Sequence, residues 1–198
     1  VMNMAIEGIF LMGAWGGFVG AYLTKSLFWG LMLAMAVGAA IGAVYAYITV
    51  KLKQHQIVTG VALNILSAGI SVYLYRVLFG VPIIPLTVDS LRRIPIPLLS
   101  RIPVVGPALF NQNILTYLAL VLMPVGYWVL FKTRLGLVVR STGATPQAVD
   151  AAGINVTRYK YLATCVGSMI AGLGGLYYVM DYASGVWSNN AFGDRGWL

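Results

Sequence analysis

The sequence predicts an all-α, polytopic transmembrane helix bundle, and three observations carry that prediction. Hydrophobic residues make up 60% of the 198 and charged residues only 9%, against about 25% charged in an ordinary soluble domain. Mean hydropathy is +0.84. Five apolar windows are each close to the length that crosses a bilayer, about 20 residues at about 1.5 Å each. The net charge of +8 does not point to nucleic acid. The basic residues flank the apolar runs and form no basic face, which is the pattern of positive loops beside membrane spans.

The first window runs from Met4 to Leu23, interrupted only by Glu7. The second is Phe28 to Val50. The third, Ile57 to Phe79, carries Asn64 and ends around Arg76. The fourth, Ile114 to Phe131, contains Pro124. The fifth, Tyr161 to Ala183, has Asp181 near its end. Small residues recur four apart at Gly16 and Gly20, Gly38 and Gly42, and Ala171 and Gly175. Such pairs let helix backbones approach closely in lipid, where packing replaces the hydrophobic effect. Tyr73, Tyr75, Tyr177, Tyr178 and Tyr182 stand near outer window ends and read as an aromatic belt.

The loops set an orientation. If each window spans once, Lys51, Lys53, Lys132, Arg134, Arg140, Arg158 and Lys160 share one side, and Lys25, Arg92, Arg93 and Arg101 share the other. The richer side is then cytoplasmic. The outer loop from Gly80 to Asn113 is long, and Pro82, Pro85, Pro95, Pro97, Pro103 and Pro107 bar any long helix there. It either covers the mouth of a pathway or serves as an interfacial connector.

Some chemistries are excluded. A single cysteine, Cys165, allows no internal disulfide or cysteine-based metal cluster. A single histidine, His55, allows no two-histidine zinc motif. No G-x-x-x-x-G-K-[ST] loop is present to cradle ATP, and the composition calls for no cofactor. The chain opens at Val1 and closes on Gly193-Asp194-Arg195-Gly196-Trp197-Leu198, and reads as one transmembrane domain truncated at both ends.

The cytoplasmic loop, residues 133–160, holds the clearest short element. Thr145 can N-cap a helix, Pro146 suits its first turn and Gly153 its end. The intervening Gln147, Ala148, Val149, Asp150, Ala151 and Ala152 give about two turns, roughly 10 Å. That is too short to stand alone in water. It needs either a partner or its own bundle to pack against.

Three stretches resemble the permease subunits of bacterial ATP-binding-cassette (ABC) importers, in the branched-chain amino acid and simple sugar family, nucleoside or purine branch. Residues 3–14, NMAIEGIFLMGA, resemble N-I-G-x-E-G-x-M-L-x-G-A, with Met4 and Ala5 departing from it. Residues 56–64, QIVTGVALN, resemble I-V-x-G-x-A-x-N. Residues 140–156, RSTGATPQAVDAAGINV, resemble R-x-x-G-E-N-P-x-A-A-x-x-x-G-I-x-V, with Ala144 where glutamate is usual and Val149 where alanine is usual. The resemblance implies that Arg140, Thr145, Pro146, Ala148, Asp150, Ala151, Ala152 and Gly153 belong to the coupling helix docking on the ATPase. It implies cytoplasmic ABC ATPase subunits, a second permease, identical or homologous, and an extracytoplasmic solute-binding protein as partners. It places the chain in a bacterial inner membrane, working by alternating access without covalent chemistry.

Within the spans, Glu7 reads as a structural anchor or a ligand. Asn64 lies about 12 Å into its window. Its amide can bond between helices or, with Thr59 and Gly60, line the solute path, Gly60 breaking the helix locally to open a cavity. Nucleoside, purine, simple sugar and branched-chain amino acid are the candidate solutes. An ion-coupled secondary transporter is the main rival, but such proteins usually carry deep carboxylates or histidines, and here the deep segments offer mainly Asn64. A membrane-embedded enzyme would need a nucleophile–base pair or metal ligands, and the lone histidine lies in a loop.

Overall fold

Each apolar window becomes a helix. The computed structural model describes residues 2–80, 86–88, 93–95, 111–183 and 185–187. Helix α1 is Ile6–Thr24 and α2 is Leu27–Ala46, which continues as a π-helical turn, Tyr47–Lys51. Helix α3 is Gln56–Phe79 and α4 is Ile114–Lys132. Two short helices follow, α5 (Arg134–Ala144) and α6 (Pro146–Ala151). Helix α7 is Val156–Tyr177 and ends in a second π-helical turn, Tyr178–Tyr182. Five of these helices are long and apolar enough to cross a membrane: α1, α2, α3, α4 and α7. The last starts at Val156, five residues before its apolar window, because Asn155 caps it by accepting a hydrogen bond from the Arg158 amide.

The chain divides into two compact units, Val1–Asp89 with Ser141–Leu198, and Ser90–Arg140. In the first, α1, α2 and α7 pack on one another. Glycines set how near they come. A Cβ on Gly172 of α7 would lie 2.5 Å from the Ala34 carbonyl of α2, and one on Gly13 of α1 would lie 2.5 Å from the Gly172 Cα. A Cβ on Gly38 would lie 2.6 Å from the Ser168 carbonyl oxygen, and one on Gly42 would meet the Ser168 side chain. Gly16 and Gly20 admit Val37 and Leu33 of α2, and Gly175 admits the Phe10 carbonyl. The small pairs thus mark helix crossings.

Helix α3 packs on α1. Phe18, Tyr75, Phe79 and Trp187 form a cluster with ring centroids 5.2–6.2 Å apart. This corrects one expectation. Tyr75 is buried in that cluster, whereas Tyr73 and Tyr182 are exposed as belt residues should be. An isolated bridge between Thr87 and Val186 closes this end of the unit.

In the second unit, strand β1 (Arg93–Pro95) pairs antiparallel with β2 (Asn111–Asn113), Ile94 opposite Gln112. No local signal marks this pairing, because prolines interrupt the alternation typical of a strand. The rest of the proline-rich loop (Pro82, Pro85, Ser90, Arg92, Pro97, Arg101, Pro103 and Pro107) and the closing segment 188–198 lie outside the described residues. Helix α4 runs through Pro124 and buries only Leu115. A helix apolar all round belongs in lipid or against other spans.

Candidate functional site

Two places gather the residues that the sequence singled out. One is the short helix α6. Pro146 occupies its first turn, and Thr145 stands at the N-cap with φ −137° and ψ 75°. The Thr145 hydroxyl makes no capping bond. Its carbonyl serves instead, accepting from the amides of Ala148 (3.2 Å) and Val149 (3.4 Å). Capping by the Thr145 side chain is therefore corrected.

The other end is as the sequence requires. Gly153 has φ +78°. Its amide donates to the Asp150 carbonyl at 2.9 Å, and the Ile154 amide donates to the Val149 carbonyl at 3.2 Å. These two bonds form a Schellman motif, with the left-handed residue just past the helix. Any other residue there would meet a steric penalty of about 1–2 kcal/mol.

Val149 is buried, while Gln147, Ala148, Asp150, Ala151 and Ala152 are exposed. Positions 148, 151 and 152 are three and four apart, so they share one face. Helix α6 thus contacts α7, buries Val149 and presents a face of small side chains outward. Arg140 lies in the other unit, where its guanidinium sits over the Phe131 ring at 4.6 Å.

The second place is the chain entering α1. Residues 2–5 are not helical, and Ala5 at the N-cap has no side chain able to cap. Helices α2, α3 and α7 supply the missing polar groups. The Asn64 Oδ1 accepts from the Gly8 amide at 2.9 Å, and its Nδ2 donates to the Met4 carbonyl at 3.3 Å. The Tyr45 hydroxyl donates to the Met2 carbonyl at 2.5 Å. Gln56 Oε1 accepts from the Met2 amide at 3.0 Å. Asn3 accepts from the Ala5 amide at 3.1 Å and donates to the Ser168 hydroxyl at 3.3 Å. In a bilayer, backbone that leaves a helix must be satisfied in this way.

Thr59 donates its hydroxyl to the His55 carbonyl at 3.0 Å. Gly60 does not break α3, which is continuous from Gln56 to Phe79, so that expectation is corrected. Its missing Cβ makes room for Met4, whose own Cβ would be 2.5 Å away. Glu7 stands in the first turn of α1, where the helix dipole favours a carboxylate. Tyr45, Asn3, Gln56 and Ser168 were missed as members of this cluster. The available signal was a hydroxyl or amide inside or beside an apolar run.

Asn64→Leu would leave the Gly8 amide and the Met4 carbonyl unpaired, at about 1–3 kcal/mol for each buried group. The variant is expected to lower the thermal stability of the purified protein, and Asn64→Asp to lower it too, because an ionised carboxylate would face the Met4 carbonyl inside an apolar span. Unchanged stability in both would show that these bonds hold nothing.

Five helices among the described residues, each long and apolar enough to cross a bilayer, define a multi-pass membrane protein. The chain belongs to the family described as branched-chain amino acid transport system / permease component, whose model matches residues 1–194. It is similar to the nucleoside ABC transporter permease protein NupC of Lactococcus lactis, 34% identical over all of this chain and 64% of that protein. It is also similar to the guanosine ABC transporter permease protein NupQ of Bacillus subtilis, 32% identical over 92% of this chain and 60% of that protein. A third relative, TsgC13 of Haloferax volcanii, is an ABC transporter permease protein assigned provisionally to glucose. It is 31% identical over all of this chain and 60% of its own length. The chain thus spans under two thirds of the length of these relatives. No solved structure matches it.

Proposed function

We propose that the chain is the greater part of a permease subunit of an ATP-driven importer, carrying a nucleoside or purine. The observation that carries this reading is the family match along residues 1–194, together with the nucleoside and guanosine permeases among its relatives. A simple sugar is the second reading, favoured by the glucose assignment of TsgC13. The permease itself does no covalent chemistry. Cytoplasmic ABC ATPases drive it, a second permease completes the pathway, and an extracytoplasmic binding protein delivers solute in a bacterial inner membrane.

In this reading the loop 133–160 is the coupling loop of a single permease domain, and α6 is its docking element. The outward face of Ala148, Ala151 and Ala152 suits insertion into a groove, because small side chains admit close approach. Asn64 and Gly60 act first as anchors of the chain entering α1, and Thr59 bonds within its own helix. Both ends of the Asn64 amide are already engaged there. Glu7 supports the same helix start.

The test is uptake by proteoliposomes holding the whole transporter and its binding protein. Radiolabelled guanosine should accumulate when ATP is supplied to the ATPase side, and a protonophore with a sodium ionophore should leave the rate unchanged. Excess glucose should not compete. Uptake that needs no ATP and stops when the ion gradients collapse would make the protein a secondary transporter. Competition by glucose alone would move the substrate to sugars.

A further inference from the structure

We infer that the end of the bundle formed by Lys51 and the start of α7 holds the phosphate headgroup of an anionic phospholipid. A cavity of about 490 Å³ lies there, lined by Lys51, Thr157, Arg158, Tyr161, Leu162 and Cys165. The cavity surface is almost wholly apolar, while two of the six residues are cations and none is an acid, which suits an amphiphile with an anionic head. Lys51 is held over the Tyr47 ring at 5.0 Å, and Tyr161 is fixed by its hydroxyl bond to the Ala43 carbonyl at 3.0 Å. The site therefore has a settled wall and a charged rim.

The apolar part of the lining identifies the ligand as a lipid rather than a free anion. Leu162 continues along α7 as Val166 and Ile170, all exposed and four residues apart. That spacing makes a straight track of about 12 Å leading from the charged end into the hydrocarbon depth. The opposite face of α7, with Ser168, Gly172 and Gly175, is already used against α1 and α2. The outward face has bulky side chains, not the small ones that mark close helix crossings in lipid. A soluble ATPase cannot follow such a track into the membrane, but an acyl chain can. Both cations stand at span ends on the side that the basic loops mark as cytoplasmic, where anionic lipids attract basic groups. The inference needs the chain to sit in a bilayer, but no particular solute or energy source.

The test is native mass spectrometry of the full-length permease, taken from nanodiscs of equal phosphatidylglycerol and phosphatidylcholine. Phosphatidylglycerol should be retained in preference. Lys51→Gln and Arg158→Gln should each reduce its retention about fivefold, the effect of one cation near a charged membrane surface. Lys51→Arg should preserve it. Leu162→Ser should also weaken it, and Lys53→Gln, two residues on in the loop and outside the cavity, should not. Excess inorganic phosphate should fail to displace the lipid. Equal retention of the two lipids, or full retention in both glutamine variants, would overturn the proposal. Displacement by phosphate would reduce the site to an anion site. Loss of the ATPase with lipid retention intact in the glutamine variants would assign the cations to that protein instead.

Discussion

Gly172→Ala is expected to lower the stability of the bundle by about 1–3 kcal/mol, the range for one methyl forced into a filled space. The site allows little relief. The new Cβ would stand 2.5 Å from the Ala34 carbonyl and 3.2 Å from the Gly38 Cα. These are backbone atoms of α2, so no side chain can swing away, and the helices themselves must part. Gly172→Leu should go further and abolish accumulation of the folded protein. Gly13→Ala should behave like Gly172→Ala, because its Cβ would meet the Gly172 Cα.

The two substitutions act on one crossing, so the double variant should cost less than the sum. Once the first methyl has separated the helices, the second finds room. Gly69→Ala and Gly167→Ala supply the contrast, since nothing lies within 4 Å of either added Cβ. Thermal unfolding in detergent, read by loss of the monodisperse peak, measures the four single alanine variants and the double. Equal loss at Gly69 and Gly172 would mean that glycine acts through the helix backbone alone and not through the crossing.

That contrast shows what the sequence could and could not say. Spans were legible because the bilayer imposes a length and a composition on each helix, and both are local. The spacing of Gly38 and Gly42 told that a backbone approaches there, but not that Ser168 and Gly172 are what it meets. Those partners lie about 130 residues away. Asn64 was legible as a polar group in an apolar run. Its partners, Gly8 and Met4, depend on how α1 begins, and Ala5 at that N-cap gave no hint of borrowed capping.

Short-range signals fared unevenly in α6. Gly153 was legible because a left-handed residue is a local demand of the chain. Thr145 was read correctly as to position, but the hydroxyl does not bond, and cap geometry depends on a torsion that composition does not fix. The burial of Val149 also escaped the sequence. A valine on a two-turn helix faces partner or bundle with equal local reason, and only the packed structure shows it buried within the chain.

This placement sharpens the second large effect, at Ala151 and Ala152. Ala151→Arg or Ala152→Glu should leave the permease in the membrane at its normal level, because both positions are exposed. Pro146 and the Schellman bonds at Gly153 still fix the ends of α6, and Val149 still seats it. What changes is the outward face, where a bulky charge now stands in place of a methyl. If that face enters a groove on the ATPase, the substitution buries an unpaired charge at the centre of the contact. Interface positions of that kind cost about 2 kcal/mol or more, roughly thirtyfold in affinity.

The ATPase should then fail to co-purify, and ATP-driven uptake should fall at least tenfold, a lower bound from the same affinity loss. Capture of solute by the separate binding protein should not change. Val149→Ala tells docking from mere order, since it loosens α6 from its own unit without altering the outward face. It should weaken coupling less than Ala151→Arg does. Gln147→Cys, with Cys165 replaced, should resist membrane-impermeant thiol reagents in intact cells. Labelling from outside, or full co-purification and uptake in both charge variants, would remove α6 from the contact with the ATPase.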